Sequence, residues 1–272
     1  MTQDDRLDYL VEAFKNDSVR YKDLRVEKEE RRMVLRSLMN IRMPRRMNPD
    51  VIRVQDAFLQ QEAREKGIVR LEDIATIKEE YGSSSDFADK ISIWQGDITR
   101  LAADAIVNAA NSQMLGCFIP CHKCIDNAIH SAAGIELREE CSRIMETERQ
   151  KYGAGYEEPT GSARITNAYN LPCKAVIHTV GPVVGYGLTD QLRADLESCY
   201  RSCLECLVEN GYRSIAFCCI STGEFHFPNG EAARIAVNTV IDYLKSYAES
   251  IDRVIFNVFK DDDLNIYRGI LS

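Results

Sequence analysis

The segment NGYRSIAFCCISTGEFHFPNGE, residues 210–231, contains the features that decide the fold. Asn210 and Gly211 are typical of the left-handed cap that ends a helix. The continuous apolar run at residues 214–220 predicts a buried strand. A second helix is predicted to begin near Gly230, because the following Glu231 would lie at the positive end of the helix dipole. A buried strand between two helices is typical of an α/β fold.

The same alternation of short apolar runs and helical patterns extends from Lys90 to the end of the chain. The other predicted strands are residues 91–95, 105–108, 175–180 and 253–259. Helices are also predicted to begin near Asp126, Thr189 and Asp261. Connections of this kind place helices on both faces of a central sheet. We therefore expect residues 90–272 to form one three-layer α/β/α domain.

Residues 1–82 differ from the rest of the chain, because they are rich in charge and show helical stripes without strand patterns. Pro49 is typical of the first turn of a helix. The segment GSSSD, residues 82–86, marks the change in composition. We therefore predict a helical N-terminal extension at residues 1–82 and a linker at residues 83–89. We expect the extension to cover one edge of the sheet, and docking of a target protein is the alternative.

The composition predicts a globular protein of the cytoplasm. The chain has 272 residues, of which 45% are hydrophobic, and no run approaches the length of a membrane span. The amino terminus lacks the basic start and apolar core of a signal peptide. A formal net charge of −8 argues against binding to a nucleic-acid backbone. We therefore expect neither a nucleic acid nor a membrane among the partners.

Five of the ten cysteines are predicted to be packing residues rather than disulfide partners. Cys199, Cys203 and Cys206 follow a helical stripe together with leucines. Cys218 and Cys219 belong to a predicted strand. A free cysteine in such a position behaves as a small hydrophobic residue.

Cys117, His122 and Cys124 lie in one short segment, residues 117–124, which we call the metal loop. Thiolates and an imidazole suit a zinc ion, and we expect one zinc ion per chain as the cofactor. Three protein ligands would leave a fourth position for water or substrate, as in a catalytic zinc site. Cys121 is a competing ligand, and a purely structural zinc is the alternative.

Polar residues follow two of the predicted strands, where the loops of an open α/β sheet form a ligand crevice. Asp97 could accept hydrogen bonds from the amino group of a base, although its spacing favours the cap of a helix. Asn108 and Asn111 carry amides that suit a ring of sugar hydroxyls, but asparagine is also common in turns that bind no ligand. Taken alone, these residues are weak indications of a site.

The loop ISTGEFHF, residues 220–227, has the features of a phosphate-binding site. Gly223 permits close approach of the backbone, and successive N–H groups can form a concave anion site. The positive end of the following helix favours negative charge. The loop matches neither glycine-rich motif of the nucleoside triphosphatases and dinucleotide dehydrogenases, so those classes are not supported. His178, inside a predicted strand, is expected to be a hydrogen-bonded core residue.

Taken together, these segments resemble the macrodomain family, whose members bind ADP-ribose. The resemblance rests on GDIT at residues 96–99, DAIVNAAN at residues 104–111 and STGEF at residues 221–225. Residues 125–134 and 175–182 also look like the helix and central strand of that family. The resemblance covers the chain from Lys90 to its end and implies a macrodomain with a mixed central sheet.

The resemblance implies a role for each candidate residue. Asp97 and Ile98 would bind the adenine, and Asn108 would also bind the ADP-ribose. Asn111 and Phe227 would face the distal ribose together with the metal loop. The main chain of one loop would wrap the diphosphate, through Ser221, Thr222, Gly223, Glu224 and Phe225.

One departure from the family pattern is informative. MacroD-type hydrolases carry a glycine-rich run before their catalytic aspartate, whereas this chain has CFIPCHKC at residues 117–124, before Asp126. The chain therefore looks like the zinc-dependent branch, whose members remove ADP-ribose from modified proteins and often carry a helical N-terminal extension.

The resemblance thus implies a hydrolase that removes mono-ADP-ribose from protein side chains, with ADP-ribose and a mono-ADP-ribosylated protein as its partners. We expect zinc to polarise a water or an oxygen of the distal ribose beside the anomeric carbon. Asp126 is the candidate base, with a helix cap as its alternative role, and Asn111 is the second candidate catalytic residue. A non-catalytic ADP-ribose-binding module and an O-acetyl-ADP-ribose deacetylase are the alternative functions.

Overall fold

The computed structural model describes residues 1–272 and contains a six-stranded sheet. The strands are β1 (Ile91–Gln95), β2 (Ala105–Ala110), β3 (Ala163–Asn167), β4 (Ala175–Val180), β5 (Ser214–Phe217) and β6 (Arg253–Val258). Their spatial order is β1-β6-β5-β2-β4-β3. All neighbouring strands are parallel except β3, which runs antiparallel to β4. The expected mixed central sheet is therefore confirmed.

Nine α-helices accompany the sheet. Four precede it in the chain, namely α1 (Gln3–Asn16), α2 (Arg31–Ile41), α3 (Pro49–Lys66) and α4 (Ile77–Tyr81). The other five are α5 (Ile125–Ala133), α6 (Ile135–Tyr152), α7 (Asp190–Glu209), α8 (Asn229–Tyr247) and α9 (Asp261–Leu271). Helices pack on both sides of the sheet, as expected of an α/β/α domain. None of the helices combines the length and the apolar character that a membrane span requires.

The strands differ from the prediction in their ends and in their number. β2 extends to Ala110, β5 ends at Phe217 and β6 ends at Val258. β5 is shorter than its apolar run because its pairing with β2 ends at Ala216 and its pairing with β6 ends at Phe217. The chain then turns at Ser221, whose φ of 64° lies in the left-handed region. β3 was not predicted, because this half-exposed edge strand is short and lacks a continuous apolar run.

The main core is a cluster of 49 buried residues on the two faces of the sheet. Cys199, Cys203, Cys206 and Cys218 belong to this cluster, and Cys219 packs against it. All ten cysteines are free. The prediction that these five cysteines act as packing residues is therefore confirmed.

The N-terminal helices form a second cluster of 11 buried residues, to which Ile135 of α6 contributes. α2 and α3 contact α5, whereas α4 contacts the edge strand β1. The expectation that the extension covers a sheet edge therefore holds for α4 and is wrong for α1–α3. The reason is that their apolar stripes pack on one another and against the domain's own helices.

The extension packs closely against the turn between α5 and α6. Gly134 forms this turn with a φ of 100°, which favours glycine. A Cβ atom at Gly134 would lie 2.7 Å from Nε2 of Gln55 in α3. Gln55 instead accepts a hydrogen bond from the backbone N–H of Ile135, at 3.1 Å. The extension is thus joined to the domain at the C-terminal end of α5.

Candidate functional site

Cys117, His122 and Cys124 come together immediately before α5. Sγ of Cys117 lies 3.7 Å from Nδ1 of His122, and the ligand atoms of the three residues all lie within 4.8 Å of one another. Bond lengths of about 2.0 to 2.3 Å around a tetrahedral zinc ion would separate its ligands by about 3.5 Å. All three side chains are half-buried, so solvent can reach the group. The donor set and its spacing therefore fit a zinc ion.

Cys124 has a second role as the N-cap of α5. Its Sγ accepts a hydrogen bond from the backbone N–H of Asn127, at 3.4 Å. Burial raises the pKa of the Cys124 thiol to about 12, and the nearby Cys117 adds to this effect. A bound cation offsets the cost of burying a thiolate, as in other cysteine metal sites. Because Cys124 occupies the cap, Asp126 does not have the capping role that was its alternative.

Cys121, the competing ligand, lies outside the ligand group. Its Sγ lies 3.3 Å from Oγ of Ser37 and 3.5 Å from the carbonyl oxygen of Met33, both in α2. The φ of Cys121 is 52°, in the left-handed region. Its side chain therefore faces the extension rather than the other two cysteines of the metal loop.

The loop at residues 221–227, which we call the phosphate loop, connects β5 to α8. Ser221 and Phe227 are buried at its two ends, and the N–H of Phe227 donates to the carbonyl oxygen of Ser221 at 2.9 Å. The backbone N–H groups of Gly223, Glu224 and Phe225 have no hydrogen-bond partner. Adjacent free N–H groups near the N-terminus of a helix form an anion site. The loop therefore has the geometry to hold a diphosphate.

Gly181, which follows β4, lies against the phosphate loop. A Cβ atom at Gly181 would lie 2.0 Å from Oγ of Ser221 and 3.0 Å from Cγ2 of Ile220. Oγ of Ser221 is buried and has no hydrogen-bond partner. The phosphate loop can take this position only because Gly181 has no side chain.

The metal loop and the phosphate loop meet at one pair of side chains. Nε2 of His122 lies 3.7 Å from Oε1 of Glu224. Since Nδ1 of His122 faces Cys117, Nε2 is the ring nitrogen left for a second partner. In zinc sites the second nitrogen of a histidine ligand commonly donates to a carboxylate, which fixes the orientation of the ring. The structure therefore brings the candidate metal ligands to the candidate phosphate loop.

Asp126 is buried behind the metal loop, with 5% of its surface exposed. One of its oxygens, Oδ1, accepts a hydrogen bond from Nδ2 of Asn108 at 2.8 Å. Burial raises the pKa of Asp126 to about 6, although Asn108 and the charge of Arg138 both act to lower it. Asn108 is itself fully buried, so it orients Asp126 from the interior of the domain.

His178 is a hydrogen-bonded core residue, as the sequence predicted. Its Nδ1 lies 3.1 Å from Nδ2 of Asn108 and its Nε2 lies 3.0 Å from Oγ1 of Thr166. Burial lowers the pKa of His178 to about 3, so its ring is neutral. His130, Cys141 and His178 form a second compact group of possible metal ligands. Because both nitrogens of His178 already have partners, this buried group does not offer three free ligands.

The adenine candidates lie in a turn after β1. Asp97 caps this turn, and its Oδ1 accepts hydrogen bonds from the N–H of Thr99 at 3.0 Å and from the hydroxyl of Thr99 at 2.7 Å. The cap that the spacing favoured is therefore present. The side chain of Ile98 is 1% exposed, which leaves its backbone as the part that could contact a ligand.

The two candidates for the distal ribose differ in their surroundings. Oδ1 of Asn111 accepts a hydrogen bond from the N–H of Gln113 at 3.0 Å, and Nδ2 donates to the carbonyl oxygen of Gly116 at 3.3 Å. Asn111 thus shapes the turn that leads into the metal loop. Phe227 is 1% exposed and belongs to the main core, so its side chain anchors the end of the phosphate loop in that core.

Two residues that hold the metal loop, Arg36 and Asn127, are not among the residues predicted from the sequence. Arg36 of α2 donates to Oδ1 of Asn127 at 2.7 Å and to the carbonyl oxygen of His122 at 3.3 Å. Asn127 lies three positions after Cys124, and this spacing, typical of a helix cap and its donor, could have identified it. Arg36 precedes His122 by 86 residues, and no local pattern links the two.

Comparison with known proteins agrees with this geometry. Residues 107–236 match the Macro domain family. A Treponema medium protein named protein-ADP-ribose hydrolase is 45% identical to this chain, over 100% of both chains. A Staphylococcus aureus protein of the same name is 45% identical over 86% of this chain and 82% of its own length.

Solved structures show the same fold. The Trypanosoma brucei macrodomain in complex with ADP-ribose has a TM-score of 0.66 and 29% identity, covering 86% of this chain and 94% of that chain. The Oceanobacillus iheyensis macrodomain with ADP has a TM-score of 0.59 and 37% identity, covering 69% of this chain and 92% of that chain. Family match, full-length relatives and fold all agree, and we conclude that this chain belongs to the macrodomain family.

Proposed function

We propose that this chain is a protein-ADP-ribose hydrolase of the zinc-dependent, MacroD-like branch, which removes mono-ADP-ribose from modified protein side chains. The observation that carries the proposal is the meeting of the two loops, where His122 lies 3.7 Å from Glu224. A diphosphate held at the phosphate loop would place the rest of the ligand beside the metal loop. The names of the full-length relatives support the same reaction.

Binding of ADP-ribose would use the backbone more than side chains. The free N–H groups of Gly223, Glu224 and Phe225 would hold the diphosphate, aided by the N-terminus of α8. The turn at Asp97 and Ile98 would receive the adenine. These backbone contacts would hold only the ADP-ribose group, so they would be the same whichever protein carries the modification.

Catalysis would take place at the distal ribose, beside the metal loop. Cys117, His122 and Cys124 would hold one zinc ion, which when bound supplies Lewis-acid polarisation of an oxygen. Asp126 would accept the proton of the attacking water, because Oδ1 is held by Asn108 and Oδ2 makes no hydrogen bond. Asn111 would position the ribose through the turn that it shapes. The water oxygen would form a bond to the anomeric carbon as the bond from that carbon to the protein side chain breaks. The proton taken up by Asp126 would pass to the departing side chain, so that the unmodified protein and ADP-ribose are the products.

The test is release of ADP-ribose from a mono-ADP-ribosylated protein, measured before chelation, after chelation and after zinc is added back. We expect chelation to abolish release and zinc to restore it, while calorimetry shows unchanged binding of ADP-ribose. A metal-free protein that works at the full rate would exclude the role of zinc. Binding of ADP-ribose without any release would favour the binding module, and faster cleavage of O-acetyl-ADP-ribose than of the modified protein would favour the deacetylase.

A further inference from the structure

One face of α2 in the extension contacts the metal loop. Three residues form this face, namely Arg36, Ser37 and Asn40. Arg36 reaches the carbonyl oxygen of His122, Ser37 reaches Sγ of Cys121, and Asn40 accepts from the N–H of Cys121. Residues three and four positions apart lie on the same side of a helix, so Asn40 shares a side with both Ser37 and Arg36, and the three contacts act on one segment.

Arg36 makes the most extensive of these contacts. Its Nε and Nη2 lie 3.2 Å and 2.7 Å from Oδ1 of Asn127, and Nη2 also lies 3.3 Å from the carbonyl oxygen of His122. Arg36 is half-buried and forms no ion pair with a carboxylate. Its planar guanidinium group is therefore used for geometric positioning of the metal loop rather than for charge pairing within the extension.

Asn127 links Arg36 to Cys124, another of the candidate metal ligands. It is fully buried, and its Nδ2 donates to the carbonyl oxygen of Ile119 in the metal loop at 2.9 Å. Its backbone N–H donates to Sγ of Cys124 at 3.4 Å. Arg36 is thus linked to His122 directly and to Cys124 through Asn127.

Asn40 holds the strained part of the same loop. It is 1% exposed, and its Oδ1 accepts from the N–H of Cys121 at 2.9 Å. Cys121 has a φ of 52°, which is costly for a residue with a side chain and persists only where neighbouring contacts hold it. The amide of Asn40 also donates to Oγ of Ser131 in α5, at 2.9 Å.

The metal loop has little support of its own. Its only internal backbone hydrogen bond joins the N–H of His122 to the carbonyl oxygen of Ile119, at 3.2 Å. Without outside contacts, metal binding would have to order most of the loop and would be weaker for that reason. Groups that orient the ligands of a metal site typically change its affinity about 10- to 100-fold when they are removed.

We propose that α2 is part of the metal site and that Arg36 is a positioning residue, which holds His122 and Cys124 in the arrangement that binds zinc. This inference deepens the proposed function and rests on it for the identity of the metal and the reaction. It assigns the extension a role in metal binding, distinct from the covering of a sheet edge and from docking of the target protein.

The test compares Arg36→Ala and Arg36→Lys with the unchanged full-length chain. Zinc affinity is measured by competition with a chromogenic chelator, and cobalt-loaded protein is examined by visible absorption. We expect Arg36→Ala to weaken zinc binding about 10- to 100-fold. Its cobalt spectrum should shift and its kcat should fall, whereas KM and the affinity for ADP-ribose should stay within about twofold of the unchanged chain. Arg36→Lys should restore part of the affinity, since lysine can donate to one acceptor but cannot span two.

Arg32→Ala is the matched control, because Arg32 lies one turn earlier in α2 and pairs with Glu62 of the extension. Unchanged zinc affinity in Arg36→Ala would overturn the inference, as would an equal loss in Arg32→Ala. If Arg36→Ala fails to fold by circular dichroism, Arg36→Gln gives the same comparison. Hydrolysis by the unchanged chain with and without chelator reports separately on the proposed function, and an unchanged chain that binds no zinc would overturn both.

Discussion

The phosphate loop and the metal loop are held in place by different means. The phosphate loop is closed by its own backbone and anchored by the buried Ser221 and Phe227. The metal loop has one internal backbone hydrogen bond, and α2 and Asn127 supply further hydrogen bonds from outside. The difference suggests that ligand binding depends on the domain alone, whereas metal binding depends also on the extension. Four substitutions can break or sharpen this comparison.

The largest effect is expected from Cys124→Ala in the metal loop. This change removes a candidate ligand, so hydrolysis should fall by more than the ~100-fold typical of a group that only orients a ligand. The affinity for ADP-ribose, measured by calorimetry, should remain, because the phosphate loop is anchored independently. Cys121→Ser is the control, since it keeps a hydrogen-bonding group beside Ser37 and lies outside the ligand group. Equal loss of zinc in both variants would contradict the assignment of ligands.

The next effect is expected from Gly181→Ala, which acts on the phosphate loop. The added Cβ would lie 2.0 Å from Oγ of Ser221, so the loop must move. We expect the affinity for ADP-ribose to fall about 10-fold, which corresponds to about 1.4 kcal/mol, while zinc content is unchanged. Gly185→Ala is the control, because nothing lies within 4 Å of the Cβ it would add. If Gly181→Ala lost zinc but bound ADP-ribose normally, the two loops would not be independent.

A smaller effect is expected from Glu224→Gln, at the point where the loops meet. Glu224 is exposed, and a screened pair with His122 contributes only about 0 to 1 kcal/mol. Zinc affinity should therefore fall by at most about fivefold, and binding of ADP-ribose should be unchanged because the backbone N–H remains. Glu197→Gln on α7 is the control for loss of one surface charge. A loss of zinc affinity as large as that of Cys124→Ala would mean that Glu224 is itself a ligand.

The smallest effect is expected at the junction of the extension and the domain. Burial raises the pKa of Glu136 to about 7, with the charge of Asp56 adding to the shift. The folded protein therefore holds a proton that the unfolded chain has released, so this contribution to stability is complete below the unfolded pKa and is lost as pH rises through about 7.

Glu136→Gln keeps a partner for Gln55, which lies 3.1 Å from Glu136, and removes the titration. Thermal unfolding should show that Tm of the unchanged chain falls by about 2 °C more than that of Glu136→Gln between about pH 5 and pH 8. We expect a small difference because Glu136 is only partly buried and solvent screens its charge. If Tm of the two proteins changed with pH in the same way, the raised pKa of Glu136 would be contradicted.

The strands and helices that could be predicted are those with a clear local pattern of apolar residues. β4 and β5 are mostly apolar and buried along their whole length, as strands in the middle of a parallel sheet are buried on both faces. β3 is a half-exposed edge strand whose residues show no such run, and α6 has a largely charged surface. Their positions are set by the pairing of β3 with β4 and by the turn at Gly134 between α5 and α6, which no local apolar pattern shows.

The candidate site was predictable to the same extent. Close spacing in the chain brought Cys117, His122 and Cys124 together as candidates, because a short loop keeps its residues near one another. The same segment could not show that Cys121 faces α2 instead of the other cysteines. Nor could it show that Asn108 is buried beneath Asp126, since this depends on how β2 and α5 pack.

The sequence by itself determined most of the strands and helices, the composition of the metal loop and the glycine-containing phosphate loop, because each depends on residues close together in the chain. Only the tertiary structure decided that His122 meets Glu224 and that Arg36 holds the metal loop. These contacts join residues separated by 102 and 86 positions, and no local energy term specifies them. They follow from the packing of whole elements, which buries the apolar faces of the sheet in one cluster and those of the N-terminal helices in a second.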